Sequence, residues 1–120
     1  MRSCVQIYNR MVVDLLTGPR ADRVFHALSD ATRRDIVVRA LEGEHSVSAL
    51  ARRYPVSFAA VQKHVAVLES AGLVTKHKNG REQLVRSNVE TIRRATQLLE
   101  QLEAVWRDRI DQIDEILAND

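Results

Sequence analysis

The sequence has a single cysteine, Cys4, among its 120 residues, and this scarcity excludes two classes of small protein. One thiol cannot form an internal disulfide or a four-ligand zinc site, which excludes a disulfide-stabilised secreted scaffold and a zinc finger. No apolar run approaches the ~20 residues that a membrane span needs, and the first residues lack the apolar core of a signal peptide. We therefore expect a cytoplasmic protein that does not associate with a membrane.

The usual signatures of catalysis are also missing. The sequence has no glycine-rich phosphate loop and no paired carboxylates at catalytic spacing, and none of its four histidines has a motif-based partner. Four glycines and two prolines, with 28% charged residues, argue against low-complexity disorder. The sequence predicts a folded protein that is not an enzyme and uses no cofactor.

The net charge of +2 conceals an uneven distribution along the chain. Residues 31–87 carry ten Lys and Arg side chains against five Asp and Glu, whereas residues 88–120 carry four against eight. A basic middle segment is typical of a protein that binds a polyanion, although an ordinary solvated surface can show the same pattern.

Apolar spacing and capping residues predict a mainly helical chain. Asp30, Ser46, Ser57 and Asn88 each stand where a side-chain oxygen favours the start of a helix. The first two predicted helices could also be one broken helix. The predicted helices span residues 5–16, 21–28, 31–42, 47–53, 58–71 and 89–117.

A hairpin is predicted where the helical spacing stops. Two extended runs, residues 73–78 and 82–86, flank Asn79 and Gly80. An Asn-Gly pair between extended runs is a strong local signal for a two-stranded β-hairpin.

The helices before this hairpin have the arrangement of a helix-turn-helix, because only a short turn separates Arg53 from Ser57. The hairpin then supplies a wing. The predicted fold is mainly α (α+β), a winged helix-turn-helix with a two-stranded wing and long N- and C-terminal dimerisation helices. We expect a single domain with three parts: residues 1–28 (N-terminal helices), 29–87 (helix-turn-helix and wing) and 88–120 (C-terminal helix).

The helix after the turn has two distinct faces. Val61, Val65 and Leu68 recur with helical spacing and are expected to face the core. The opposite face then carries Gln62 and Lys63 beside small alanines. A Gln amide can pair with N6 and N7 of adenine, a lysine can reach a guanine edge or a phosphate, and an alanine methyl can touch thymine.

Two residues of this helix have open roles. Phe58 and His64 could each pack within the protein or contact DNA. The predicted DNA contacts from the helix are Phe58, Ala60, Gln62, Lys63 and His64.

The hairpin contributes basic residues of its own. Arg81 stands next to the predicted turn, where its guanidinium could reach a phosphate or a narrow minor groove. Lysines on an edge strand can also serve to discourage aggregation, but that does not explain the arginine. Outside the helix, the predicted DNA contacts are Lys76, Lys78, Arg81 and Arg33.

Three segments resemble the ArsR (ArsR/SmtB) family of winged-helix repressors: residues 28–34 (LSDATRR), 54–57 (YPVS) and 61–74 (VQKHVAVLESAGLV). The likeness covers about residues 21–87. It implies a homodimer that binds an inverted-repeat operator, with the helix after Ser57 in the major groove and the terminal helices forming the dimer. The resemblance also implies DNA contacts at Ser57, Phe58, Gln62, Lys63, His64 and Arg81.

Many members of that family sense metals, but their ligands are missing from this sequence. Residues 45–53 contain no cysteine, and no histidine follows Val89. We therefore expect no metal site. Cys4 is either incidental or could cross-link two protomers on oxidation. If the chain starts at Met11, residues 1–10 are an upstream extension.

The last predicted helix carries apolar residues at seven-residue intervals, the spacing of a seam between two helices. Its ~43 Å of apolar face exceeds what one small domain can cover. The predicted dimer interface comprises Ile7, Met11, Leu15, Leu99, Leu102, Trp106 and Ile113.

The expected function is that of a sequence-specific DNA-binding transcriptional regulator, a homodimeric repressor acting on double-stranded DNA. The alternatives are a winged-helix protein-interaction module without operator binding and a redox-responsive regulator. A small-molecule effector would be expected to act between the terminal helices. The retained basic wing favours DNA binding over a module that has lost it.

Overall fold

The computed structural model describes residues 18–119, and the predicted helix over residues 5–16 lies outside them. Within the described part, five helices accompany one three-stranded antiparallel sheet, in the mainly helical winged arrangement that the sequence predicts. In chain order the elements are α1 (Pro19–Leu28), α2 (Ala31–Glu42), β1 (His45–Ser46), α3 (Val47–Ala51), α4 (Phe58–Ser70), β2 (Val74–Asn79), β3 (Glu82–Ser87) and α5 (Val89–Ala118).

Three of the four predicted capping residues act as predicted. The side chains of Asp30, Ser46 and Ser57 each accept a hydrogen bond from the backbone N–H three residues later. Asn88 precedes α5, but the prediction that its side chain caps the helix is wrong. Its backbone N–H instead donates to Leu73 O at 2.9 Å, so the turn before β2 fixes the start of α5.

The core lies between the helix-turn-helix and the sheet. Val61, Val65 and Leu68 of α4 are buried, as their spacing predicts. They share the core with apolar side chains from the other three helices of the winged domain and from β2 and β3, including Ile36, Leu50, Val74 and Val85. Burial of this inner face fixes which side chains of α4 point outward.

The wing has one more strand than predicted. The strand order is β1-β3-β2, and His45 of β1 pairs with Val85 of β3. Two residues make too short a strand to show an alternating sequence pattern. Pairing with β3 nevertheless attaches the wing to the end of α2.

The turn of the wing is displaced by one residue from the predicted Asn-Gly pair. Asn79 is the last residue of β2 and pairs with Glu82, so Gly80 and Arg81 are the two central residues. Gly80 has φ 64°, and no residue other than glycine has a positive φ in the described chain. Glycine at the first central position is typical of a type II′ hairpin turn, and it places Arg81 at the tip of the wing.

Candidate nucleic-acid interface

The N-terminal half of α4 presents short and polar side chains outward. Ser57 Oγ accepts a hydrogen bond from the Ala60 N–H at 3.1 Å and holds the first turn. Gln62 and Lys63 are exposed, and Phe58 is 47% exposed despite its size. An exposed aromatic ring beside a Gln and a Lys, on a helix whose other face is buried, forms a surface suited to base and phosphate contacts.

A polar cluster joins α2 to the turn that precedes α4. Tyr54 donates from its hydroxyl to Asp35 Oδ2 at 2.6 Å, and Arg39 Nε donates to the same oxygen at 2.8 Å. The Arg39 guanidinium carbon lies 6.0 Å from the centre of the Tyr54 ring. These side-chain hydrogen bonds hold the turn against α2. They therefore help the backbone to fix the angle at which α4 leaves the turn.

The same cluster perturbs the ionisation of its members. The hydrogen bond from Tyr54, followed by that from Arg39, holds the pKa of Asp35 below its ordinary value. Burial and the hydrogen bond to Asp35 raise the pKa of Tyr54. Asp35 is therefore ionised and Tyr54 neutral at physiological pH, the pairing that this hydrogen bond requires.

A cleft of about 300 Å³ separates α4 from the wing. Phe58 and Gln62 line it from the helix, and Lys76 and Arg81 line it from the hairpin. The cleft therefore brings two residues of the helix together with two of the wing, and all four were predicted to contact DNA.

Several basic residues of the wing are paired within the protein. Glu44 accepts hydrogen bonds from His77 Nε2 at 3.0 Å and from Arg86 Nε. The bond from Arg86, more than that from His77, keeps the pKa of Glu44 below its ordinary value. Lys76 Nζ lies 3.6 Å from Glu69 Oε1, at the far end of α4. These contacts brace the wing against the loop after α2 and against the end of α4.

Two basic residues remain at the tip of the wing. Within residues 18–119, neither Lys78 nor Arg81 forms an ion pair, and both are exposed. An unpaired cation at an exposed tip can bind a phosphate without first breaking a bond within the protein.

This architecture is similar to that of known transcriptional regulators. A family model described as a helix-turn-helix domain matches residues 28–77. The chain is 48% identical over 59 residues to the HTH-type transcriptional regulator Rv2034 of Mycobacterium tuberculosis; the match covers 49% of this chain and 55% of that protein. Among solved structures, the ArsR-like transcriptional regulator from Rhodococcus sp. RHA1 superimposes with a TM-score of 0.72 at 37% identity, over 81% of this chain and 92% of the other.

The chain belongs to the ArsR family of winged helix-turn-helix transcriptional regulators. It is a regulator with a DNA-binding fold and not an enzyme. A second similar structure is the homodimeric winged helix-turn-helix DNA-binding domain of a possible ArsR-family regulator from Mycobacterium bovis. That structure has a TM-score of 0.61 and 25% identity, over 76% of this chain and 83% of the other.

In this ArsR-family chain, Arg33 lies away from the cleft between α4 and the wing. Its Nε donates to Ala27 O at 2.7 Å and its Nη2 to His26 O at 3.0 Å, so its guanidinium caps the C-terminus of α1. Arg34 adds a bond from Nη1 to Leu28 O at 2.7 Å. A phosphate contact by Arg33 stays a prediction, and these bonds to carbonyls six and seven residues earlier already engage two of its guanidinium nitrogens.

His64 and Ala60 occupy the border of the exposed surface of α4. Both are half-buried, and His64 Nδ1 lies 3.4 Å from Arg33 Nη1, on the side of the helix that faces α1 and α2. Six of the residues predicted as DNA contacts thus fall into two groups. Phe58, Gln62, Lys76 and Arg81 meet at the cleft, whereas Arg33 and His64 meet beside the end of α1.

Helix α5 carries an apolar face that the described chain leaves exposed. Leu98 is buried with 3% exposure, but beyond it the apolar side chains of this 30-residue helix are open to solvent. Trp106, the sole tryptophan, is 61% exposed. The exposed apolar residues are Leu99, Leu102, Val105, Trp106, Ile110, Ile113, Ile116 and Leu117.

A further cavity, of about 720 Å³, lies between α1, the end of α4 and the first half of α5. Its lining combines apolar side chains such as Val24 and Leu98 with Arg23 and Arg94. This is the region between the terminal helices where the sequence predicts that an effector would act, and such an effector stays a prediction.

Residues 18–119 contain neither a membrane-spanning helix nor a cluster of metal ligands. None of the helices combines the length and apolar content needed to cross a membrane. In the same residues, no three His, Cys, Asp or Glu side chains cluster as metal ligands would. Cys4, Ile7, Met11 and Leu15 lie outside the described residues, so the predictions made for them are untested.

Proposed function

We propose that this ArsR-family regulator is a homodimeric repressor that binds an inverted-repeat operator through α4 and the wing. The cleft between α4 and the wing supports this proposal more than any other feature. It aligns a helix that can enter the major groove with an unpaired arginine that can reach the adjacent backbone. We expect the protein to act where its double-stranded DNA target lies, in the cytoplasm.

The side chains of α4 divide into readout and anchoring residues. Gln62 is suited to adenine, because an exposed amide offers a donor and an acceptor together. Lys63 is suited to a guanine edge or a phosphate, and Ala60 to a thymine methyl. Ser57 and Phe58, at the N-terminus of the helix, are placed to approach the backbone and the base edges that follow it.

The wing is suited to sequence-independent contacts. Lys78 and Arg81 carry unpaired charge at its tip, and each phosphate that they neutralise releases counterions. Lys76 lines the cleft but is held near Glu69, and we assign it a weaker contact.

The exposed apolar face of α5 supports the homodimer. A contiguous apolar face of this length is unusual on a monomeric protein and is typical of a subunit interface. We propose that Leu99, Leu102, Trp106 and Ile113 contribute to that interface, together with Ile7, Met11 and Leu15 near the N-terminus. A dimer of this kind would present two copies of α4 about 34–36 Å apart, one helical turn of DNA.

Selection from a pool of random duplexes at a fixed salt concentration tests this function. We expect an enriched inverted repeat with half-sites one helical turn apart. A Gln62→Ala/Lys63→Ala variant should no longer return the same repeat, whereas Asp111→Ala, on the polar face of α5, should return it unchanged. Failure to enrich any inverted repeat would contradict the proposal and favour a protein-interaction module.

The direction of regulation needs a second measurement. We expect the protein to lower transcription from a promoter that carries the selected repeat, because a dimer on the operator excludes the polymerase. Raised transcription would identify an activator.

A further inference from the structure

One arginine connects the end of α1 to the middle of α4. Arg33 donates from Nε to Ala27 O and from Nη2 to His26 O, and its Nη1 lies 3.4 Å from His64 Nδ1. The backbone N–H of the same residue donates to the capping carboxylate of Asp30 at 3.0 Å. The backbone N–H and two guanidinium nitrogens of Arg33 are thus engaged. The fold therefore fixes the position of Nη1 beside His64.

The contact between Arg33 and His64 determines where the histidine carries its proton. A guanidinium has only donors and is not deprotonated in proteins. Nδ1 of His64 must therefore be the acceptor in this hydrogen bond, and the neutral ring then carries its hydrogen on Nε2. Nε2 lies across the ring from Arg33, so the N–H is turned away from that side chain.

We infer that Arg33 is a positioning residue that holds His64 as an Nε2–H donor, and that this donor binds an acceptor on DNA. The second half of the inference rests on the proposed function. The acceptor is a phosphate oxygen or an acceptor atom on a base edge, since both accept the same N–H. Arg33 then acts on DNA only through His64, unlike the direct contact that its sequence position suggests.

The tautomer can be measured on the free protein, independently of any operator. Two-bond ¹H–¹⁵N correlation spectra of the imidazole rings at pH ~8 distinguish Nε2–H from Nδ1–H, and His64→Gln identifies the His64 signals by their loss. We expect a single Nε2–H form in the wild type and in Arg34→Ala. In Arg33→Ala we expect the Nδ1–H tautomer to appear beside the Nε2–H form, because only the intrinsic preference of the imidazole for Nε2–H then remains.

Arg34→Ala is a matched control, because Arg34 also donates to the end of α1 but forms no hydrogen bond with His64. If Arg33→Ala does not fold, Arg33→Lys replaces it, since one ammonium cannot span both α1 carbonyls and the imidazole. An Nδ1–H ring in the wild type, or unchanged spectra in the folded Arg33 variant, would overturn the positioning role.

DNA titrations test whether the Nε2–H of His64 donates a hydrogen bond to DNA. With the inverted-repeat duplex recovered by selection, His64→Ala should weaken binding roughly two- to tenfold, as expected for one lost hydrogen bond. His64→Gln should restore most of that loss, because its amide can accept from Arg33 and donate to DNA. Loss on the selected duplex alone would assign a base edge, and equal loss on a scrambled duplex would assign a phosphate.

A double-mutant cycle separates this role from a direct contact by Arg33. Arg33→Ala should weaken binding in the wild-type background but cause no further loss in His64→Ala. Additive losses would show that Arg33 meets DNA independently, and an unchanged affinity of His64→Ala would show that the imidazole donates to nothing on DNA. Either result would overturn the inference even if operator binding itself is confirmed.

Discussion

Tyr54 donates its hydroxyl hydrogen to Asp35 at 2.6 Å, and this bond joins the turn of the helix-turn-helix to α2. The turn has only a few residues, so a small shift within it would swing the whole of α4. A half-buried tyrosine that is tied to a carboxylate resists such a shift better than backbone contacts alone. The orientation of the DNA-facing helix therefore depends on a residue that does not itself face DNA.

Tyr54→Phe should lower the free energy of unfolding by about 1 kcal/mol, because it removes one partly buried hydrogen bond while the ring still packs. Urea denaturation measures the effect. In an Asp35→Asn background the same substitution should cost less, since the charged acceptor is already gone. Equal costs in the two backgrounds would show that the bond does not couple the turn to α2.

Two carboxylates predict a loss of stability at acid pH. The pKa values of Asp35 and Glu44 are held below their ordinary range in the folded chain. Groups of this kind contribute stability above their unfolded pKa of ~4, and the contribution is lost as pH falls through the lower folded pKa. Titration of these two groups should therefore change the urea midpoint little between pH 7 and 5. Below pH ~4 the midpoint should drop.

The matched variant for this pH dependence is again Tyr54→Phe. Because the hydrogen bond from Tyr54 is the main cause of the low pKa of Asp35, its removal brings that pKa closer to normal. The variant should lose less stability than the wild type between pH 5 and 2. Parallel curves for the two proteins would contradict the assigned cause.

Gln62→Ala and Arg81→Ala should weaken DNA binding in different ways. Loss of Gln62 should cost roughly 1–3 kcal/mol on the preferred duplex and relax base preference at one position. Loss of Arg81 should weaken binding to all duplexes. It should also reduce the slope of log affinity against log salt concentration by about one, the value for one phosphate contact. Equal, sequence-independent losses from both variants would show that the exposed face of α4 is misassigned.

Trp106→Ala should weaken the dimer by about 2 kcal/mol or more, as truncation of a central interface aromatic commonly does. Sedimentation velocity over a concentration series measures the shift, and the fluorescence of Trp106 in the wild type should move to shorter wavelength as the dimer forms. Asp111→Ala provides the control on the polar face of α5. An unchanged dimer in Trp106→Ala would place the interface elsewhere, most directly near Ile7, Met11 and Leu15.

The features that the sequence predicted correctly are encoded by neighbouring residues. Capping oxygens at Asp30, Ser46 and Ser57 act over three residues, and the buried face of α4 follows from its helical spacing. The two long strands of the wing were predicted from one Asn-Gly pair, with the turn displaced by one residue.

The features that were missed depend on contacts between distant residues. Strand β1 exists because His45 and Ser46 meet β3 about forty residues later, and no local pattern announces a two-residue strand. Glu44 and Glu69 form ion pairs with Arg86 and Lys76 of the wing, whereas the sequence alone does not show that these basic residues are paired. The role of Arg33 depends on the end of α1, which becomes its neighbour only after the chain turns.

The stoichiometry of the DNA complex tests the central claim most directly. Sedimentation of a labelled duplex carrying the selected inverted repeat should show two chains per duplex. A duplex with one intact half-site should bind at least ~100-fold more weakly, because the second contact of a dimer adds avidity. One chain per duplex, with equal affinity for the full repeat and the single half-site, would contradict a dimer that reads both half-sites.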